Sequence, residues 1–188
     1  MKLNLGCGTD IQPGWCNVDR VRLPGVDIVA DLNTRDCLLE IPSDSVTEIY
    51  MSHILEHISN PLVLMEELWR VALPECICTI KVPHGAHDMA FADPEHVRQY
   101  FPASFQFFSQ PAYKRADYGY RGDWECQTIT ITYEASLSDA PHERVYQLGM
   151  SMRNIFQEME ATLTAMKPRR DVSSPFNYNP EVLLELSS

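Results

Sequence analysis

The run Lys2-Leu3-Asn4-Leu5-Gly6-Cys7-Gly8-Thr9-Asp10 constrains the rest of this chain more than any other stretch. An apolar-leaning segment leads straight into Gly-x-Gly, which predicts a short buried strand ending in a turn. Glycine lacks a Cβ and tolerates positive φ, so such a turn leaves bare backbone N–H groups for a ligand to approach. Two later segments, Trp15-Cys16-Asn17-Val18-Asp19 and Val26-Asp27-Ile28-Val29-Ala30-Asp31-Leu32, read as strands that close on an acid. In an open parallel sheet, ligands sit beyond the carboxyl ends of the strands, where a carboxylate takes the hydroxyls of a ribose. Glycine turn, Asp19 and Asp31, in that order, predict one nucleoside-shaped hollow.

Size and charge limit what can fill it. A chain of 188 residues supports one core rather than two. The expected organisation is a single domain over residues 1–170 with an extended tail over 171–188. Apolar residues at 45% and charged residues at 22% suit a soluble globular protein. No apolar run approaches the roughly 20 residues of a membrane span, and the N-terminus enters a strand with no signal peptide, so a cytoplasmic location is expected. The formal net charge of −11, with Lys167-Pro168-Arg169-Arg170 the one tight basic cluster, argues against tracking a nucleic-acid backbone. A small-molecule substrate fits better. The six cysteines, at 7, 16, 37, 76, 78 and 126, form no C-x-x-C pair and read as reduced, mostly buried thiols.

Along the chain, Val46-Thr47-Glu48-Ile49-Tyr50-Met51-Ser52-His53 is a fourth strand. Asn60-Pro61 opens a helix whose apolar positions Leu62, Met65, Leu68, Trp69 and Ala72 share a face. Cys76 to Val82 is a fifth strand. Asp93-Pro94-Glu95 reads as the start of a helix over 93–108, and the Tyr- and Gly-rich segment 109–123 as a mobile loop over the site. Glu125 to Glu134 alternates with period two as a sixth strand. Val145, Leu148, Met152, Ile155 and Phe156 repeat at helical spacing, 161–166 alternates as a seventh strand, and Val182 to Leu186 reads as a short helical turn.

Several of these pieces together resemble the class I S-adenosylmethionine-dependent methyltransferases, in the compact branch related to the type 11 domain. They are Leu3-Asn4-Leu5-Gly6-Cys7-Gly8, Gly14-Trp15-Cys16-Asn17-Val18-Asp19, His53-Ile54-Leu55-Glu56-His57, Val82-Pro83-His84 and Asp93-Pro94-Glu95-His96-Val97-Arg98, spanning roughly residues 2–108. The resemblance implies an α/β, Rossmann-like, mostly parallel seven-stranded sheet with an antiparallel last strand and helices on its faces. It implies S-adenosylmethionine as methyl donor. Gly6, Cys7 and Gly8 would hold the methionine part, Asp19 the ribose, Asp31 with Leu32 the adenine edge, and Ser52 and His53 the region beside the sulfonium.

Three departures stand out. Only residues 6–14 separate the first two strands and 20–25 the next two, where a parallel crossover normally takes about a dozen residues or more. An apolar sheet face would then lack its helix, which predicts a homodimer or coverage by the C-terminal segment. The third glycine of the usual loop is missing, and Asn4 stands where many relatives carry an acid. A transferase acting on oxygen or nitrogen of a small acceptor needs a base near neutrality, for which His57 and then His84 are the candidates. His57, His84, His87, Asp93 and His96 have the chemistry of a zinc or iron site, but no H-E-x-x-H spacing is present, so no metal is assigned. Two other readings stay open. A nicotinamide-dependent oxidoreductase shares the glycine loop and ribose acid, although Asp19 follows Gly8 by only eleven residues. A non-catalytic ligand-binding or assembly protein would explain the stripped crossovers.

Overall fold

A computed structural model describes residues 1–116 and 118–187. Its strands are β1 (Lys2–Leu5), β2 (Cys16–Asp19), β3 (Ile28–Val29), β4 (Val46–Ser52), β5 (Ala72–Pro83), β6 (Trp124–Tyr133), β7 (Phe156–Ala165) and β8 (Glu181–Leu186). They form one sheet in the order β3-β2-β1-β4-β5-β7-β6-β8. β3 to β5 run parallel, β7 lies antiparallel between β5 and β6, and β8 adds parallel to β6. The α/β architecture and the antiparallel strand are as the sequence indicates; the sheet has eight strands rather than seven. Helices are α1 (Pro61–Val71), α2 (Met89–Ala92) and α3 (His142–Ser151). Among the described residues no helix is long and apolar enough to cross a membrane.

The two faces of the sheet differ in chemistry. Leu3, Leu5, Ile49, Met51, Cys78, Ile80, Val82, Ile129, Met159, Ala161 and Leu163 are buried in one core with Leu64, Met65, Leu68 and Val71 of α1. The alternate positions are polar: Asn4, Tyr50, Thr79, Thr162 and Thr128 follow one another across the central strands in register. All of these but Asn4 are partly exposed. A sheet buried on one face needs helices on that face alone. That is why the chain folds without crossover helices between β1 and β2 or between β2 and β3.

The apolar face expected to lie uncovered beside β1 and β2 is therefore not there. Asn4 and Asn17 sit side by side on it, and the Asn4 side-chain amide donates to the Asn17 side-chain oxygen at 2.9 Å and to the Asp10 carbonyl at 2.7 Å. Asn17 in turn accepts from Gln12 N–H and donates to the carbonyls of Gln12 and Trp15. Two buried asparagines thus sew the 6–15 loop onto the sheet where a helix would normally pack. The physical motive for a dimer through that face disappears, and the C-terminal segment lies at the opposite edge as β8.

Four local expectations also change. Residues 182–186 are strand, since pairing with the open edge of β6 satisfies their backbone. Residues 93–100 are irregular; Asp93 accepts from Glu95 N–H as a turn residue rather than capping a helix, and the helical character is confined to a 3-10 segment, Pro102–Phe108. α3 ends at Ser151, and Asn154, at φ 62°, turns the chain so that β7 begins at Phe156 instead of 161. The described ends of segment 109–123 are anchored: Tyr120 is buried, and the Gln110 amide donates to the carbonyls of Tyr120 and Gly122. The six cysteines are free. Burial pushes Cys37 up to about 11 and Cys76 and Cys126 up to about 12.

Candidate active site

β1 pairs with β2 on one side and β4 on the other, so the direction of winding reverses there. A crevice opens beyond the carboxyl ends of strands at such a switch point. A cleft of about 210 Å³ lies there, lined by Gly6, Asp19, Arg20, Asp31, Leu32, Asn33, His53, Ile54, His57 and Glu95 among others. Six residues singled out from sequence, Gly6, Asp19, Asp31, Leu32, His53 and His57, thus share one opening. Cys7, Gly8, Ser52 and His84 do not line it.

The glycine turn is built for two different reasons. Gly6 has φ 63°, and a Cβ there would fall 1.9 Å from Ile54 Cδ1. The bare backbone at Gly6 is covered by the chain's own isoleucine. Gly8 has φ 49° with nothing within 4 Å of a Cβ position, and its N–H donates to Asp19 Oδ2 at 2.8 Å. Asp19 Oδ1 accepts from Val21 N–H at 2.9 Å. Both carboxylate oxygens are therefore fixed by backbone, and each retains a lone pair for a further donor.

The opposite wall is held by side chain to backbone bonds. Asp31 Oδ1 accepts from Asn33 N–H at 2.9 Å, and Asn33 Oδ1 accepts from Ser59 N–H at 2.8 Å. These tie the loop after β3 to the segment after the 3-10 turn Leu55–His57. Arg20 and Glu95 face each other at 3.8 Å as an exposed, weak ion pair. None of the described residues of 109–116 and 118–123 lines this cleft, and at residue 117 the expectation of a loop over the site falls outside the described residues.

The three candidate histidines have separate fates. His53 sits at φ 54°, a conformation that a bulky residue adopts only when its surroundings impose it. Its Nε2 lies 2.7 Å from Glu158 Oε2, and Lys81 holds the other oxygen of Glu158 at 2.7 Å. The Glu158 hydrogen bond, then Glu56, raise His53 to about 9, so it is cationic near neutrality. His84 is buried between Phe101 and Phe156, accepts at Nδ1 from Ala86 N–H, and lines a different cavity beside α3. Desolvation lowers it to about 4. His57 alone is a cleft imidazole outside a carboxylate pair; its Nδ1 lies 3.2 Å from the Glu95 carbonyl.

Sequence reasoning missed Arg20, Asn33, Ile54 and Glu95 as lining residues. Arg20 adjoins Asp19, and Ile54 lies within the His53 to His57 run, so both stood next to recognised positions. Glu95 is brought in only by the loop after β5. Of the residues considered for a metal, His57 and His96 come together, joined by Glu56, while His84 and His87 lie elsewhere.

No known family model matches the chain, and no curated protein matches it in sequence. Solved structures do match in fold. A SAM-dependent methyltransferase from Archaeoglobus fulgidus superposes with a TM-score of 0.60 at 16% identity, over 87% of this chain and 85% of that one. A putative type 11 methyltransferase from Sulfolobus solfataricus gives 0.51 at 11% identity, over 95% and 88%. The [4+2]-cyclase SpnF gives 0.54 at 13% identity, over 88% and 75%. The sheet order, the switch-point cleft and these likenesses define the class: the chain has the fold of the class I S-adenosylmethionine-dependent methyltransferases.

Proposed function

We propose that this protein transfers the methyl group of S-adenosylmethionine to an oxygen or nitrogen of a small-molecule acceptor. The observation that carries the reading is the meeting of Gly6, Asp19, Asp31 and Leu32 in one cleft at the switch point. Asp19 is the residue to accept the ribose hydroxyls, because its oxygens are fixed yet not saturated. Asp31 and Leu32 would take the adenine edge, and the Gly6 to Gly8 turn the methionine part. Of that turn only Gly6 lines the cleft, and there the Ile54 side chain has to turn aside for a ligand to reach the backbone.

The bound donor supplies a methyl group on a sulfonium, already activated for displacement. The chain then has to orient the acceptor and remove its proton. His57 is the base this cleft offers, since His53 is held as a cation and His84 faces another cavity. The −11 charge and the acidic lining suit a neutral or cationic acceptor.

Calorimetric titration tests the assignment. Binding of S-adenosylmethionine without binding of NAD, weakened at least about tenfold in Asp19→Asn, supports it. Absence of both favours a non-catalytic binding or assembly protein, the reading to which Ile54 over Gly6 lends some weight. The nicotinamide reading is the weakest, because no helix intervenes between Gly8 and Asp19 to present a pyrophosphate.

A further inference from the structure

Behind His57, which lines the cleft, stand Glu56 and His96, two residues that methyl transfer by itself does not use. Glu56 is 1% exposed, and neither of its carboxylate oxygens has a hydrogen-bond partner among the described residues. Buried carboxylates are paired, protonated or bound to a metal, because an unpartnered one forfeits its hydration for nothing. Three imidazoles surround Glu56, and the His53 cation is close enough to Oε1 to count as an ion pair, which leaves Oε2 without a partner. His53 Nδ1 approaches Oε1 to 3.3 Å outside hydrogen-bond geometry, and that ring is committed at Nε2 to Glu158. His96 Nε2 stands 4.0 Å from Oε1 and 3.9 Å from Asp93 Oδ2, and His96 Nδ1 is buried with no partner. His57 packs edge to face on His96 with ring centroids 4.7 Å apart. One ligand atom each from Glu56, His57 and His96 lies within 4.8 Å of the other two.

We propose that Glu56, His57 and His96 bind a divalent first-row transition cation beside the cleft. Two imidazoles and one carboxylate suit zinc, iron or cobalt rather than magnesium or calcium, which prefer oxygen alone. Bonds of about 2.1 Å in a tetrahedral site put ligand atoms about 3.4 Å apart, so the widest separation in the set has to contract by up to about 1.4 Å. The partly exposed His57 ring has room to make that movement.

Two further features prepare the site. The N–H groups of Val97 and Arg98 both donate to the Glu56 carbonyl, at 3.0 and 3.2 Å, which locks the loop carrying His96 onto the turn carrying Glu56 and His57. His57 Nδ1 faces the Glu95 carbonyl; a proton there leaves the lone pair on Nε2, the orientation that outer partners impose on metal-binding histidines. Three protein ligands leave a fourth position free, and since His57 of the three lines the cleft, an acceptor oxygen that reached that position would gain acidity from the ion. That extension rests on the methyl-transfer reading, and in the loaded protein the ion replaces His57 as the activating group. Cation binding itself does not depend on the reading.

The test titrates chelator-stripped full-length protein with Co(II) alone, followed by visible absorption and elemental analysis. One equivalent bound, with intense bands of a four- or five-coordinate site, is expected. Affinity should fall at least tenfold in Glu56→Gln and in His96→Ala, and stay unchanged in His84→Asn. Circular dichroism confirms that each variant folds; should Glu56→Gln not fold, His96→Ala and His57→Asn carry the test. No cobalt bound, or binding that survives His57→Asn/His96→Ala undiminished, overturns the proposal. Calorimetry with S-adenosylmethionine on the same samples separates the claims: nucleoside binding without cobalt binding sinks only the metal site, and the converse sinks only the methyl-transfer reading.

Discussion

The two halves of the sheet are built by different means. β1, β2 and β3 have four, four and two residues, no crossover helix, and a buried asparagine network in place of a helical layer. β5, β6 and β7 have twelve, ten and ten residues, pair antiparallel through β7, and bury Trp124, Phe105 and Phe156. Five of the six sequence-identified residues that meet in the cleft lie in the thin half or at its border with β4. The long-stranded half supplies the packing that lets the thin half be held by side chain to backbone bonds, a division consistent with local stability being lowest where ligands bind.

The sharpest way to break this comparison is at Asp123 in the long-stranded half. Asp123 is 0% exposed and accepts from Arg170 Nε at 2.9 Å, Arg170 Nη2 at 2.8 Å and Gln110 N–H at 3.1 Å. Asp123→Leu removes the buried carboxylate that takes two guanidinium hydrogen bonds, leaving Arg170 only Glu125 as an acidic partner, and should cost about 3–5 kcal/mol in denaturant unfolding, with the whole sheet melting in one transition. Loss of only the thin half would contradict the division.

Acid provides the next test. His84 is held at about 4, below the ordinary 6.5, because burial disfavours its charged form. The unfolded chain therefore takes up the proton first as pH falls, and the stabilisation present above pH 6.5 is lost progressively toward pH 4. The loss should reach roughly 3 kcal/mol, and His84→Asn, whose side-chain oxygen can still accept from Ala86 N–H, should show a flatter profile there. In the thin half, Asn17→Ala removes the acceptor for Gln12 N–H and the partner of Asn4, and should destabilise by roughly 2 kcal/mol. Trp15 fluorescence should report opening of the 6–15 loop before global unfolding; a single coincident transition would show that the halves are one cooperative unit. Smallest of all, Ile54→Ala clears the space above Gly6 and should tighten S-adenosylmethionine binding by a few-fold, under about 1.4 kcal/mol. Weaker binding would make Ile54 a wall of the pocket rather than its plug.

Much of the thin half was legible before folding was considered. Gly6 and Gly8 do take positive φ, Asp19 and Asp31 do meet at one opening, and the shortness of both crossovers was countable. The consequence of that shortness was not, because the face expected to be apolar and bare is polar, and beside β1 and β2 it is filled by Asn4 and Asn17 under the 6–15 loop. Asn4 looked like a substitution for an acid; its role as a buried tie to Asn17 and Asp10 depends on the register of β1 with β2. At 182–186, local pattern suggested a turn of helix, and the open edge of β6 imposed a strand.

The amino-acid order alone determined the turn at the front, the strand-end acids and the period-two alternation, since each depends on neighbours a few residues away. Only the tertiary structure decided that Ile54 lies on Gly6, that His84 leaves the cleft, and that His96 comes to Glu56 across thirty-nine intervening positions. Those contacts are fixed by loops whose course follows from main-chain hydrogen bonds, such as Val97 and Arg98 to Glu56, and main-chain donors are the same at nearly every residue. Sequence carries no mark of which ones will meet.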